Sequence, residues 1–190
     1  MADEIKKYVI SILVDNQSNV LTRISSLFGR RGFNIDSLTV STTNNPLYSR
    51  ITVVFKGTEQ GLHQIVSQTS KSEVVKKIFV LDERKSIYRE LLLLKVLCDK
   101  TERSAIKEIV EIFRGKIVDL SKQSIVIELT GSTEKIDGFM EMMNCYEIIE
   151  VCRTGITGIS KSSHSWNDDM NEEELRPLVT PIDEGYIISK

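Results

Sequence analysis

The sequence contains few of the residues from which catalytic and metal sites are usually built. Its 190 residues include one tryptophan, two histidines and three cysteines. His63 and His164 lie far apart in sequence and share no partner, so they indicate neither a metal site nor a general base. Cys98, Cys145 and Cys152 are an odd number without metal-ligand spacing. We expect them to be small buried apolar side chains in a reducing compartment.

Motifs for catalysis are absent as well. The sequence has no P-loop and no Ser–His or Cys–His pairing. Gly155 and Gly158 lack the strand and helix context of a dinucleotide site, so we interpret them as turn glycines. The run Glu172–Glu174 is typical of a solvated segment rather than a catalytic carboxylate cluster. We therefore expect no catalytic residue, no metal site and no cofactor on this chain.

The chain also lacks an excess of positive charge and long apolar runs. Its net charge is −2 and its pI is near 5.8, which gives no general footprint for nucleic acid. Aromatic residues are only 6% of the chain, too few for the stacking surface of an RNA-binding module. The longest apolar run, Leu91–Leu94, is far too short to span a bilayer, and MADEIKKYVI lacks the apolar core of a signal peptide. We expect a cytoplasmic protein that binds neither nucleic acid nor membrane.

The hydrophobic pattern predicts the element order β-α-β-β-α-β, followed by the same order again. Strand-like runs alternate with helices whose apolar residues recur at the helical spacing, as at Val20, Ile24, Leu27 and Phe28. This order is that of the ferredoxin-like arrangement, with two helices on one face of an antiparallel sheet. We predict an α+β fold with two tandem ferredoxin-like domains. They cover residues 1–82 and 83–160 and precede a polar, acidic and mobile tail, residues 161–190.

Turn and cap residues locate the ends of the predicted helices. Ser18 or Asn19 can cap the first helix, and Thr58, Thr101 and Ser132 can cap the others. At the end of the first helix, Gly32 supplies the left-handed residue of the stop signal, after which Phe33 can fold back on Phe28.

The loop Asp15–Asn19 allows two interpretations. In one it is an ordinary strand-to-helix connection whose Ser and Asn residues only cap the helix, and the residue types alone slightly favour this. In the other, the free N–H groups and positive dipole end of the helix bind a carboxylate. The amides of Asn16 and Asn34 would then orient the ligand. Its aliphatic side chain would lie against three apolar residues, namely Val20, Leu21 and Ile35.

Four stretches of the sequence carry a family resemblance. They are DNQSNVLTRISSLFGRRGFNIDSLTV, RELLLLKV, EIFRGKIVDL and IIEVCRTGITGISK, which occur in this order within residues 5–161. The first half resembles an ACT domain, an amino-acid-sensing form of the ferredoxin-like fold. The whole resembles the regulatory (small) subunits of acetolactate synthase, also called acetohydroxyacid synthase.

The resemblance implies a non-catalytic subunit. It would bind and activate a large subunit that carries thiamine diphosphate, Mg and FAD, and it would confer feedback inhibition by valine or a related branched-chain amino acid. In the family, the effector lies between the ACT domains of two protomers, which implies a homodimer through these domains. The implied effector site consists of Asn16, Ser18, Asn19, Val20 and Leu21 on one side and Asn34 and Ile35 on the other.

One residue departs from the family pattern. The family usually has Gly at the position of Asn19, where the helix begins. Asn tolerates a left-handed backbone, but its side chain could occupy the space or the N–H donors that a carboxylate needs. We therefore hypothesise that this subunit activates its partner but responds weakly to valine. An ACT-type regulator of a different enzyme stays an alternative, because it would share the first half without EIFRGKIVDL.

Overall fold

The computed structural model describes residues 4–161 and 187–189. The described chain divides into two compact units, and each is considered by itself. The first consists of residues 4–87 together with 158–161 and 187–189, and the second is Tyr88–Thr157. Of the predicted tail, residues 162–186 and 190 lie outside the described residues.

The first unit has the predicted order of strands and helices. Its sheet has the strand order β10-β4-β1-β3-β2, and the pairings of β1 with β3 and β4, of β2 with β3 and of β10 with β4 are all antiparallel. Without β10 this is the order of a ferredoxin-like domain. Its elements are β1 (Lys6–Asp15), α1 (Val20–Gly29), β2 (Ile35–Thr42), β3 (Tyr48–Gly57), α2 (Glu59–Ser70), β4 (Val75–Leu81) and, near the end of the chain, β10 (Ile187–Ser189).

Alternate residues of the first sheet face the two helices and form the core. Ile10 and Ile12 of β1 and Phe55 of β3 pack against Ile24 and Phe28 of α1, and all five are fully buried. Apolar residues that recur every second position along the strands therefore pack against apolar residues that recur about every 3.6 positions along the helix, and together they form one layer.

The end of α1 is a Schellman stop, as the sequence predicts. Gly32 has a positive φ of 71°, and its N–H donates to the carbonyl of Gly29 at 3.1 Å. The N–H of Phe33 donates to the carbonyl of Phe28, also at 3.1 Å. The ring of Phe33 packs edge-to-face on Phe55, with ring centroids 5.4 Å apart. The turn thereby fixes the point at which β2 begins.

The second unit repeats the arrangement, which confirms the tandem α+β fold. Its four main strands have the order β6-β7-β5-β8. The core lies between β5, β7 and the two helices, with Leu92, Leu94, Ile127, Ile106 and Phe139 fully buried. The elements are β5 (Ser86–Leu97), α3 (Arg103–Ile112), β6 (Lys116–Leu120), β7 (Ser124–Gly131), α4 (Thr133–Met143) and β8 (Ile148–Arg153). The short strand β9 (Thr157–Ser160) begins at the last residue of this unit.

The structure confirms two predicted caps and corrects the other two. Thr58 and Ser132 accept hydrogen bonds from the N–H groups of Gly61 and Lys135. Asn19 makes no side-chain cap bond. Glu102, at the N-cap of α3, makes no side-chain cap bond. In the turn just before it, Asp99 takes the place predicted for Thr101: its carboxylate accepts from the N–H groups of Thr101 (2.7 Å) and Glu102 (3.0 Å). The Glu102 carboxylate accepts from the N–H of Asp99 in return, which is a capping box.

The cysteines differ in burial, and all three are free thiols. Cys98 is buried in the second core, as expected. Cys145 and Cys152 are exposed, so the expectation of burial was wrong for both. Cys145 follows the C-terminus of α4, and Cys152 lies on β8, an edge strand of its sheet in the described chain.

Candidate functional site

The loop between β1 and α1 is braced by a single asparagine. The Asn16 side chain donates from Nδ2 to the Pro46 carbonyl at 2.9 Å and accepts at Oδ1 from the Ser49 hydroxyl at 3.0 Å. Its backbone N–H donates to the Leu47 carbonyl at 2.7 Å. Asn16 therefore holds the loop against the turn that joins β2 to β3. Both Nδ2 and Oδ1 of the Asn16 side chain are hydrogen-bonded within the chain, so this side chain positions the loop.

The first residues of α1 leave hydrogen-bond donors available. Asn19 adopts the left-handed conformation, with φ 67° and ψ 0°, and its carbonyl accepts from the N–H of Arg23 at 3.0 Å. Within the described chain, nothing accepts a hydrogen bond from the N–H groups of Val20 and Leu21. No acidic residue lies in the first turn, so an approaching anion meets no negative charge there. The helix start can therefore receive a carboxylate.

The side chains of this helix start differ in what they offer. Ser18 and Asn19 are exposed, and Leu21 has 43% of its surface exposed. Val20 is 5% exposed and belongs to the core with Ile24 and Phe28. Val20 can therefore reach a ligand through its backbone N–H, whereas Leu21 presents an apolar side chain.

The other two predicted site residues lie at the opposite end of the same sheet. Ile35 pairs with Phe55, which pairs with Tyr8 near the start of β1, whereas the loop follows Asp15 at the end of β1. At about 3.4 Å per residue, these two ends of the sheet are about 24 Å apart. Asn34 is exposed, and Ile35 is half-buried against the core. One chain therefore does not bring Asn34 and Ile35 to the helix start.

The strand that carries Ile35 is an edge of its sheet. Within the described residues β2 pairs only with β3, so one row of its backbone N–H and C=O groups has no strand beside it. Val40, near the end of β2, is a 45% exposed apolar residue. An exposed strand edge with an apolar residue is suited to pairing with another strand.

A buried charge in the second unit was not found from the sequence. Glu90 is 3% exposed and accepts hydrogen bonds from the Thr133 hydroxyl and from Nε of Arg153. Arg153 also donates to Asp137 at 2.7 Å. The hydrogen bond to Glu90, and to a smaller extent the one to Asp137, raises the pKa of the Arg153 guanidinium. The alternation of Glu90 with buried Leu92 and Leu94 on β5 could have indicated this burial. The cluster connects β5, β8 and α4.

The described residues offer no other chemistry of a catalytic kind. They contain no group of three or more His, Cys, Asp or Glu side chains that could hold a metal ion. No helix in this part of the chain is long and apolar enough to cross a membrane. His63 lies half-buried in α2, and His164 lies outside the described residues.

Comparison with known proteins identifies both halves. Residues 10–77 match the family model described as AHAS small subunit-like ACT domain, and residues 89–162 match the small subunit of acetolactate synthase. The chain belongs to the acetolactate synthase small subunit family. A regulator of a different enzyme would not need the second match, so this observation argues against that alternative.

The match to individual relatives extends over nearly the whole length of each relative. The acetolactate synthase small subunit of Mycolicibacterium smegmatis is 40% identical over 85% of this chain and 95% of its own. The probable small subunit of Archaeoglobus fulgidus is 42% identical over 78% and 93%. The crystal structure of the small subunit from Thermotoga maritima superposes with a TM-score of 0.78 at 35% identity, covering 83% and 98%.

Membership of this family makes the chain a regulatory subunit in branched-chain amino acid biosynthesis, not a catalytic one. A small subunit of acetolactate synthase implies a catalytic large subunit as its partner. The family match ends at residue 162, so residues 163–190 extend beyond it.

Proposed function

We propose that this small subunit binds and activates the catalytic large subunit and mediates feedback inhibition by valine or a related branched-chain amino acid. The observation that carries the proposal is the helix start of α1, where N–H donors without partners adjoin the exposed Leu21 in an ACT domain. The thiamine diphosphate, Mg and FAD of the enzyme would be held by the large subunit.

The effector site would be shared between two copies of the chain. If the β2 strands of two copies pair antiparallel about a two-fold axis, the start of one β2 lies beside the end of the other. The end of β2 lies at the same end of the sheet as the Asn16 loop, because Thr42 pairs with Ser49 and Asp15 pairs with Tyr48. Asn34 and Ile35 of one copy would therefore approach the helix start of the other.

The chemistry of this combined site fits an α-amino acid with a branched apolar side chain. The carboxylate would accept from the N–H groups of Val20 and Leu21 at the positive end of α1. The side-chain oxygen of Asn34 would accept from the ammonium group. Leu21 and Ile35 would contact the branched side chain, while Asn16 and Ser18 would form the loop around the carboxylate. Feedback needs only about 1–3 kcal/mol of coupling to the catalytic site.

Asn19 would set the sensitivity of this site. Its left-handed backbone preserves the turn that Gly supplies in the family pattern. Its exposed side chain makes no cap bond and stands beside the donors that the carboxylate needs. An effector would have to displace or accommodate this side chain, so weak binding of valine is expected.

Reconstitution with the cognate large subunit tests the proposal. The rate of acetolactate formation is measured without the chain, with it, and with it plus valine, leucine or isoleucine. We expect the chain to raise the rate and one amino acid to lower it towards the basal value. The variant Leu21→Asp removes an apolar contact of the effector side chain and places a negative charge next to the carboxylate donors, so it should keep activation and lose the amino-acid response. No change in rate on adding the chain would refute the assignment.

A further inference from the structure

The C-terminal strand β10 covers one edge of the first sheet. Ile187 pairs with Phe79, Ile188 with Ile78 and Ser189 with Lys77, so β10 runs antiparallel to β4. Without β10, the edges of this sheet in the described chain would be β4 and β2.

Of these two edges, β4 is the more prone to pair with another chain. The strand reads VKKIFVL, and its last four residues, Ile78–Leu81, are apolar with no charge and no proline. An unpaired strand of this composition is a template for pairing with another chain. By contrast β2 reads IDSLTVST, carries a bulge near its start, and alternates apolar residues with Ser and Thr. β10 pairs with Lys77, Ile78 and Phe79, so it covers the middle of β4, including the first half of this apolar run.

The chain can deliver its own end to this edge. The N–H of Lys161 donates to the carbonyl of Lys85 at 2.7 Å, four residues beyond the end of β4. A segment as long as residues 162–186 can span at most roughly 80 Å, so the length of the chain does not limit the pairing. The segment 163–190 lies beyond the residues matched by the family model, so this strand is additional to the family match.

We propose that β10 is a blocking strand that closes the β4 edge and leaves β2 as the edge at which a second copy pairs. A domain with two open edges can pair at both, which gives open-ended assemblies, whereas one open edge gives a closed two-fold dimer. β10 is itself only three residues long, which makes it a poor template for further pairing. The proposal rests on the β2 pairing proposed above.

Two deletions and one substitution separate these contacts. In the full chain, residues 187–190 are removed to open β4, and removal of Lys190 alone serves as the control that keeps β10. Val40→Lys places a charge on the β2 edge and should prevent pairing there, since Val40 is already 45% exposed. Each form is examined by sedimentation velocity across a hundredfold range of concentration.

We expect a dimer for the full chain and the Lys190 deletion, and species that grow with concentration for the 187–190 deletion. Val40→Lys should be monomeric, and the 187–190 deletion with Val40→Lys should stop at a dimer formed through β4. If the 187–190 deletion remains a dimer of unchanged size, the blocking role of β10 is refuted. If Val40→Lys alone remains a dimer, the β2 pairing of the proposed function fails instead.

Hydrogen exchange tests β10 without reference to assembly. Amides of Lys77–Phe79 that point away from β1 should exchange at least tenfold faster in the 187–190 deletion at a concentration where it is dispersed. Amides of β3 should exchange at the same rate in both forms and report an intact fold. Unchanged exchange in β4 would show that β10 does not occupy this edge, and the proposal would fall.

Discussion

The substitution Gly61→Ala tests how tightly the start of β2 is held. The ring of Phe33 lies against two glycines: a Cβ on Gly61 would be 2.7 Å from its Cζ atom, and a Cβ on Gly57 would be 3.0 Å from Cε1. The ring also packs on Phe55, so it cannot move away freely. Phe33 directly precedes Asn34 and Ile35, which makes this contact a link between α2 and the proposed effector site.

Two opposing effects decide the magnitude. Ala in place of Gly favours a helix by about 1 kcal/mol in the interior and by less in the first turn, where Gly61 lies. A carbon–carbon contact of 2.7 Å is about 1 Å shorter than an optimal one, and overpacking of this kind costs about 1–3 kcal/mol. The clash exceeds the propensity gain, so we expect the first unit to be destabilised by about 1 kcal/mol.

The control is a glycine in a helix of the second unit. A Cβ on Gly138 in α4 would meet only Phe113 Cε1 at 3.8 Å, which is an ordinary contact. Gly138→Ala should therefore stabilise the second unit by about 0.5–1 kcal/mol. Hydrogen exchange of α2 and α4 amides reads the two units separately, which a single unfolding curve does not.

The reasoning fails if Gly61→Ala slows exchange in α2, because propensity would then outweigh the clash. A second arm identifies the clashing group. Phe33→Leu removes the ring atoms that the new Cβ would meet, so Gly61→Ala should become neutral or stabilising in that background. A double-mutant cycle with no coupling between Phe33 and Gly61 would also contradict the mechanism. Valine binding should weaken in Gly61→Ala because Asn34 shifts with the ring.

Three further outcomes are expected. Asn19→Gly should bind valine about tenfold more tightly by calorimetry, a gain of about 1.4 kcal/mol, because it clears the α1 donors; equal or weaker affinity would contradict this. Hydrogen bonds from Thr101 and Glu102 lower the pKa of Asp99 below 3.8, so α3 is stabilised above that pH and loses this stabilisation as pH falls through the folded-state value. Protection factors of the α3 amides, which correct for the pH dependence of intrinsic exchange, should fall on acidification and fall less in Asp99→Asn. Glu90→Gln, which removes the charge from the buried network, should destabilise the second unit by about 1–3 kcal/mol, whereas Asp137→Asn at its exposed rim should cost under about 1 kcal/mol.

The fold could be predicted because each element carries its own signal. The apolar stripe of α1 and the Gly32 stop give the same helix end in sequence and structure, and the alternation on β5 and β7 assigns the second sheet. The cap before α3 was assigned to the wrong residue because Asp99 and Thr101 are both good cap residues. Which of the two accepts the hydrogen bonds depends on the Glu102 carboxylate, which accepts a hydrogen bond from the N–H of Asp99.

The site was only partly predictable because its geometry depends on distant contacts. Asn16 could be selected as a loop amide, but its bonds to Pro46 and Ser49 come from a turn thirty residues later in the chain. Residue types place Asn34 and Ile35 in one site with Leu21, yet they do not say whether one chain or two assembles it. The strand register shows that one chain alone does not assemble the site, because it places Asn34 and Ile35 at the opposite end of the sheet from Leu21.

This separation has a thermodynamic consequence for regulation. A site composed of a helix start from one copy and a strand start from another exists only in the dimer, so effector binding and dimerisation must favour each other. An effector at a hundred times its dissociation constant stabilises the form that binds it by about 2.7 kcal/mol per site. That is within the range of coupling energies by which one site controls another. The blocking of β4 would matter for the same reason, because pairing at the wrong edge would yield assemblies in which Asn34 never meets the start of α1.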